Sequence, residues 1–208
     1  MTRTRRSARP AAVAALAVTL ASGLVACSPS DTPPSDSLSP DPSATATTDG
    51  FAFTSPDGTV RAWDVAERGE PLELSGTAYD GAAVDVAAHR GELVLLNTWY
   101  AFCPPCRAEA ADLVAIAADY PELRVVGING TDDAGTAQAF ERQFEVTYPS
   151  IDDADGAVLA ALQGTVPVSA TPTTIVLDRE GRVAVRVIGM LDPSVLRPLL
   201  DALLVEAT

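Results

Sequence analysis

The sequence predicts an α/β fold: a central mixed sheet flanked by helices, with an N-terminal β-hairpin extension and a central insertion. Three observations predict it. Leu93 to Trp99 and Arg124 to Asn129 are near-continuously apolar, as strands buried on both faces must be. Between them, Arg107 to Ala118 places Ala111, Val114, Ala115 and Ala118 at helical spacing, so a strand, a helix and a second strand form a parallel pair with a right-handed crossover. Further on, Thr173 to Leu177 and Arg182 to Val187 flank the turn Asp178-Arg179-Glu180-Gly181, which reads as an antiparallel hairpin and makes the sheet mixed.

The other elements follow in order. Phe51 to Val65 alternates around Ser55-Pro56-Asp57-Gly58, a turn sequence that predicts a short hairpin. Leu72 to Leu74 and Ala83 to Val86, separated by Asp80-Gly81, predict a second pair of short strands. Ala134 to Phe144 reads as a helix, Tyr148 to Ile151 as a short strand and Asp155 to Gln163 as another helix. Pro193 to Val205 closes the chain as a helix with Pro193 in its first turn. There is no internal repeat.

Ahead of this domain the chain reads as an export signal. Arg3, Arg5, Arg6 and Arg9 precede the apolar stretch Ala11 to Val25, which is too short for a good membrane span. The stretch ends in Leu24-Val25-Ala26-Cys27, which resembles a bacterial lipobox, with Cys27 the lipidated residue and mature N-terminus. The competing reading is an ordinary signal peptidase site that leaves Cys27 a free thiol. Ser7, Ala8 and Arg9 lack the apolar residues of twin-arginine signals, so general secretion fits better. Residues 27–50 are rich in Pro, Ser, Thr and Asp, cannot bury a core, and read as a tether holding residues 51–208 at the outer face of the cytoplasmic membrane. The remaining length, about 155 residues, suits one domain. The formal charge of -14 falls to -18 once residues 1–26 are removed, which disfavours nucleic acid and anionic headgroups and keeps an exported protein soluble.

The chemistry is carried by Cys103-Pro104-Pro105-Cys106, between the first buried strand and its helix. A cysteine at a helix N-terminus lies near unpaired N–H groups and the positive end of the dipole, which favour its thiolate, and the thiolate is what attacks a disulfide. Cys103 is therefore the expected nucleophile, and Cys106, one turn in, the residue that resolves the mixed disulfide. A zinc site needs about four ligands, and only Cys27 and His89 remain, so no metal is expected. A purely structural bridge over so short a loop would stabilise little. If Cys27 carries lipid, a disulfide can form only between Cys103 and Cys106. His89 falls in a predicted loop and is expected to face solvent.

The order of elements, with Cys-x-x-Cys after the first central strand and Thr171-Pro172 before the hairpin, resembles the thioredoxin superfamily. More narrowly it resembles the TlpA/ResA branch of membrane-anchored, extracytoplasmic thiol-disulfide oxidoreductases, from Leu72 to about Leu204. The residues that carry the likeness are Asn97-Thr98-Trp99, Cys103 to Cys106, Arg107 with Glu109, and Thr171-Pro172-Thr173-Thr174 followed by Asp178 and Gly181. Asp132 to Gly164 matches that branch's insertion.

The resemblance implies a cis proline facing the cysteines, with Pro172 the matching residue and Pro167 the competitor, and a substrate groove shaped by Trp99, Thr171 and Pro172. It implies a functional acid at Glu109, three residues after Cys106. Asn97 stands where ordinary thioredoxins have a titrating aspartate and cannot move protons itself. A solvated surface glutamate is the alternative for Glu109, and Asp132 falls near a second acid of the branch. The expected function is reduction of protein disulfides without a bound cofactor, apocytochrome c haem-attachment cysteines being a typical substrate and a CcdA-like membrane thiol transporter the electron source. A disulfide-forming oxidase is the first alternative, but Pro104-Pro105 lacks the histidine of DsbA-type oxidases. A copper chaperone on the same fold uses a wider cysteine spacing and a histidine ligand. A peroxidase site would want Thr or Ser where Tyr100 stands.

Overall fold

The computed structural model describes residues 51–165 and 170–206. The expected signal and tether with Cys27, and Pro167, lie outside the described residues.

The centre of the fold is β5 (Leu93–Thr98), buried at every position. Successive side chains of a strand point to opposite faces, and here both faces are covered. Leu93 and Leu95 pack with Leu113 and Ile116 of α1 (Pro104–Asp119) and with Leu196 and Leu200 of α4 (Pro193–Val205). Val94 and Leu96 pack on the other face with Val158 and Leu162 of α3 (Ala157–Thr165) and with Leu72, Leu74, Val84 and Val86. The uninterrupted apolar run is what a strand between two cores requires.

β5 pairs in parallel with β6 (Leu123–Asn129), and β6 with β7 (Ser150–Asp152). On its other edge β5 meets β8 (Thr173–Leu177) antiparallel, followed by β9 (Val183–Ile188). The N-terminal hairpin, β1 (Phe53–Thr54) and β2 (Val60–Ala62), adds to β9, which gives a seven-stranded sheet in the order β1-β2-β9-β8-β5-β6-β7. β3 (Ser75–Thr77) and β4 (Ala83–Asp85) form a separate pair. The insertion between β6 and β8 consists of α2 (Ala134–Gln143), β7 and α3. The β8–β9 turn is fixed by buried Asp178, which accepts the Glu180 and Arg182 N–H groups and pairs with Arg68 at 3.0 Å. Gly181 in that turn has φ 82°, the left-handed region open to glycine.

Several expected boundaries move. Leu72 and Leu74 mimic a strand because both are buried, but Leu72 N–H donates to Gly181 and Leu74 C=O accepts from Val86, so pairing starts only at Ser75. Tyr148 precedes its strand rather than opening it. α3 starts at Ala157 because Asp153 and Asp155 spend their carboxylates on the N–H groups of residues 157 to 159. α1 begins three residues before the expected Arg107, since Pro104 fits the first helical position, where no N–H is needed. His89 ends a short 3-10 turn (Val86–His89), partly exposed, with Nδ1 3.2 Å from Glu92.

Candidate active site

Because α1 begins at Pro104, Cys103 is its N-cap and Cys106 lies inside its first turn. The two are joined in a disulfide. Cys103 Sγ accepts the Cys106 N–H at 3.2 Å, while the Arg107 N–H goes to the Cys103 carbonyl. A helix start ordinarily offers several free N–H groups; Pro104 and Pro105 have none, so one amide and the helix dipole remain to stabilise a Cys103 thiolate. Both cysteines are nearly covered, 1% and 2% exposed, so a reacting sulfur reaches Cys103 only as the surface around it opens.

The Thr171-Pro172 peptide bond is cis, and the Thr171 carbonyl oxygen lies 3.9 Å from Cys103 Sγ. This loop is held by the end of β5: Thr98 Oγ1 accepts the Thr173 N–H at 2.9 Å. Pro172 is buried and its carbonyl accepts the Gly189 N–H, whereas Thr171 is exposed.

The residues flanking Thr98 serve the other side. Asn97 Nδ2 donates to Glu109 Oε1 at 2.9 Å and to Thr174 Oγ1 at 3.2 Å. Glu109 Oε2 accepts the Leu191 N–H at 2.8 Å. Glu109 is only 1% exposed, which removes the solvated-surface alternative. Burial pushes its carboxyl up to about 7, against the pull of the two hydrogen bonds. Trp99, expected to shape the substrate groove, is 6% exposed and stacks on Phe140 with centroids 4.4 Å apart, so it is a floor under the cysteines rather than an open wall. Asp132 Oδ2 accepts from the Ala101 N–H and Asn129 Nδ2, fixing the turn that leads into Cys103.

Sequence reasoning missed what surrounds the attacking cysteine. Phe102 is 79% exposed beside Cys103, at one wall of an open groove of about 400 Å³ between the start of α1 and α2 that Arg107, Asp133, Thr136 and Gln143 also line. Arg107 is braced there by the Ala101 carbonyl at 3.1 Å and stands over the Phe144 ring. A large apolar residue in a turn directly before the motif was the available signal. Among the described residues no group of three His, Cys, Asp or Glu is placed to hold a metal ion. The arrangement can exchange a disulfide at Cys103 and hold a proton at Glu109.

Residues 69–186 match the model of the AhpC/TSA family. The chain is 35% identical over 91 residues to the soluble secreted antigen MPT53 of Mycobacterium tuberculosis, 44% of this chain and about half, 53%, of that protein's length. It is 30% identical to the thiol:disulfide interchange protein HelX of Rhodobacter capsulatus over 67% of this chain and 73% of HelX. The solved structure of a DsbF homologue from Corynebacterium diphtheriae superposes with a TM-score of 0.62 at 34% identity, covering 74% of this chain and 99% of that one.

Proposed function

The chain belongs to the AhpC/TSA family, and on that premise we propose that it is an extracytoplasmic thiol-disulfide oxidoreductase that reduces protein disulfides. The observation that carries the proposal is Cys103 at the N-cap of α1, bridged to Cys106 and facing the cis Thr171-Pro172 bond. The names of the relatives, a thiol:disulfide interchange protein and a secreted antigen, support the reaction class and the compartment.

In the reduced protein the Cys103 thiolate attacks one sulfur of a substrate disulfide, and that bond breaks with release of a substrate thiolate. Glu109 as carboxylate takes the proton of the Cys106 thiol. The Cys106 thiolate then attacks Cys103 Sγ, the mixed disulfide breaks, and the second substrate thiolate leaves. The substrate gains two electrons and the pair loses two. Thr171 presents its backbone to the substrate, Pro172 and Trp99 support that surface, and exposed Phe102 gives apolar contact next to Cys103. Re-reduction needs a dithiol donor at the membrane, for which a CcdA-like transporter fits, and apocytochrome c is a fitting substrate.

Direction rests on the thiolate. With one N–H at Cys103 Sγ and no histidine between the cysteines, Cys103 lacks the support that makes a pair strongly oxidising, so its potential is expected nearer thioredoxin than DsbA. Those two lie about 150 mV apart, roughly 7 kcal/mol. Equilibrating the pair against glutathione decides the point, and a DsbA-like value would transfer the protein to the oxidase reading.

The same reading makes residues 1–26 a removed signal, Cys27 the lipid anchor and residues 27–50 the tether of a domain at 51–208. The tether has no apolar surface of its own, so lipid must supply the membrane affinity. Cys27→Ala is expected to move the protein from the membrane to the soluble extracellular fraction. Retention of the variant on the membrane would overturn the anchor.

A further inference from the structure

Glu109 is buried with both oxygens committed, to Asn97 and Leu191, so a proton it takes has no direct way to bulk solvent. Behind Cys106 lies a small cavity lined by Asn97, Trp99, Cys106, Tyr148 and Ser150 among others. The room open to a water's centre is about 10 Å³, near the size that holds one molecule. Two polar groups converge on it. Ser150 is 1% exposed and its hydroxyl has no hydrogen-bond partner among the described residues. Trp99 Nε1 is the second: a Cβ at Gly127 would lie 2.5 Å from Ser150 Oγ and 2.7 Å from Trp99 Nε1, so glycine there is what lets hydroxyl and indole N–H come near one another at the cavity wall. A buried hydroxyl without a partner is rare, and an ordered water is its usual remedy.

Two carboxyls flank the cavity: Glu109 is bonded to its lining residue Asn97, and Glu141 follows its lining residue Phe140 on α2. Burial, with the charges of Glu109 and Glu141 adding to it, raises the pKa of Tyr148, so the phenol stays protonated and can donate and accept in turn. Glu141, on α2, is only partly buried. The Ser150 hydroxyl lies close enough to act on Glu141's ionisation without forming an ordinary hydrogen bond to it. Asp112 acts on Glu109 from its own helix, and Asp80 and Arg142 act on Glu141.

We propose that the cavity holds one water between Ser150 Oγ and Trp99 Nε1, and that this water, with Tyr148 and Ser150, carries the proton from Glu109 to Glu141 and out to solvent. The proposal rests on Glu109 being the base for Cys106. In the step, Glu109 loses the O–H bond it gained from the thiol, each relay group passes one proton on, and Glu141 gives it to solvent; no electrons move.

The experiment is single-turnover release of substrate from a preformed mixed disulfide at Cys103 of the full chain, followed across neutral pH in dilute buffer and again with rising imidazole. Ser150→Ala and Glu141→Gln are each expected to slow release about tenfold, to leave the reduction potential of the pair unchanged, and to regain rate as imidazole replaces the relay. A purely structural lesion does not respond to buffer. Rates that superimpose on the unmodified protein, or a slowing that imidazole leaves untouched, would overturn the exit route. Glu141 lies on the partly exposed side, so its variant keeps the test if Ser150→Ala fails to fold. Glu109→Gln, run in parallel, separates the two readings: if it slows release while the other two do not, only the route falls, and if it does not, the base falls with it.

Discussion

Cys106→Ser accumulates a mixed disulfide with substrate through Cys103, whereas Cys103→Ser accumulates almost none; each loses turnover by roughly a thousandfold or more, as when a nucleophile is deleted. The asymmetry follows from placement. Cys103 caps the helix, receives the Cys106 N–H on its sulfur, follows exposed Phe102 and has its sulfur 3.9 Å from the carbonyl oxygen of exposed Thr171. Cys106 is inside the first turn and lines the inner cavity with Trp99, Ala110 and Phe140, where a protein substrate cannot follow. Opening the surface around Phe102 and Thr171 therefore exposes Cys103 first. Incubating each variant with a disulfide-bonded protein and resolving the products without reductant measures the trapped adduct. Preferential trapping by Cys103→Ser would invert the assignment.

The sheet was legible because β5 and β6 are buried at nearly every position and so near-continuously apolar, a signal that needs no tertiary knowledge. The start of α1 was not, because Cys-Pro-Pro looks like a loop to periodicity although Pro104 suits a first helical position. Leu72 and Leu74 show the opposite failure: burial at alternate positions imitates a strand whose backbone partners lie elsewhere. In the site, the cysteine pair was local and readable. The environment of Glu109 was not, since it comes from Asn97 on β5 and from the Leu191 amide, 82 residues away. Helical spacing could place Glu109 on the face of Cys106, but not decide between burial and solvent. The cis bond at Pro172 was accessible only through family likeness, and the convergence of Gly127 in β6, Trp99 just after β5 and Ser150 at the start of β7 joins three segments that no sequence window contains.

Glu109→Gln is expected to slow release of substrate from Cys103 about a hundredfold at neutral pH and to flatten the pH dependence of stability. The folded carboxyl titrates near 7 against an ordinary value of 4.5, because burial outweighs its hydrogen bonds. Between those values the folded state binds more protons than the unfolded one, so stability is greatest below the lower value and falls as pH rises towards the upper, by about 3 kcal/mol in all. Above it the carboxylate is fully formed, and that is the form able to accept the Cys106 proton. The ionisation that costs stability is the one that activates resolution, so the rate rises through the window in which stability falls. Glutamine ionises nowhere in this range. Its variant should lose both the slope in stability and the rise in rate near 7, keeping only the rise set by the thiol itself at about 8.5 or above. It must also turn an NH2 towards either Asn97 Nδ2 or the Leu191 N–H, a donor facing a donor, which costs about 1 to 3 kcal/mol at every pH. A uniform loss of that kind cannot imitate a changed slope. Denaturant unfolding and single-turnover release, each measured over a pH series, report the two profiles separately, and profiles that coincide with those of the unmodified protein would make the buried carboxyl a spectator to the exchange.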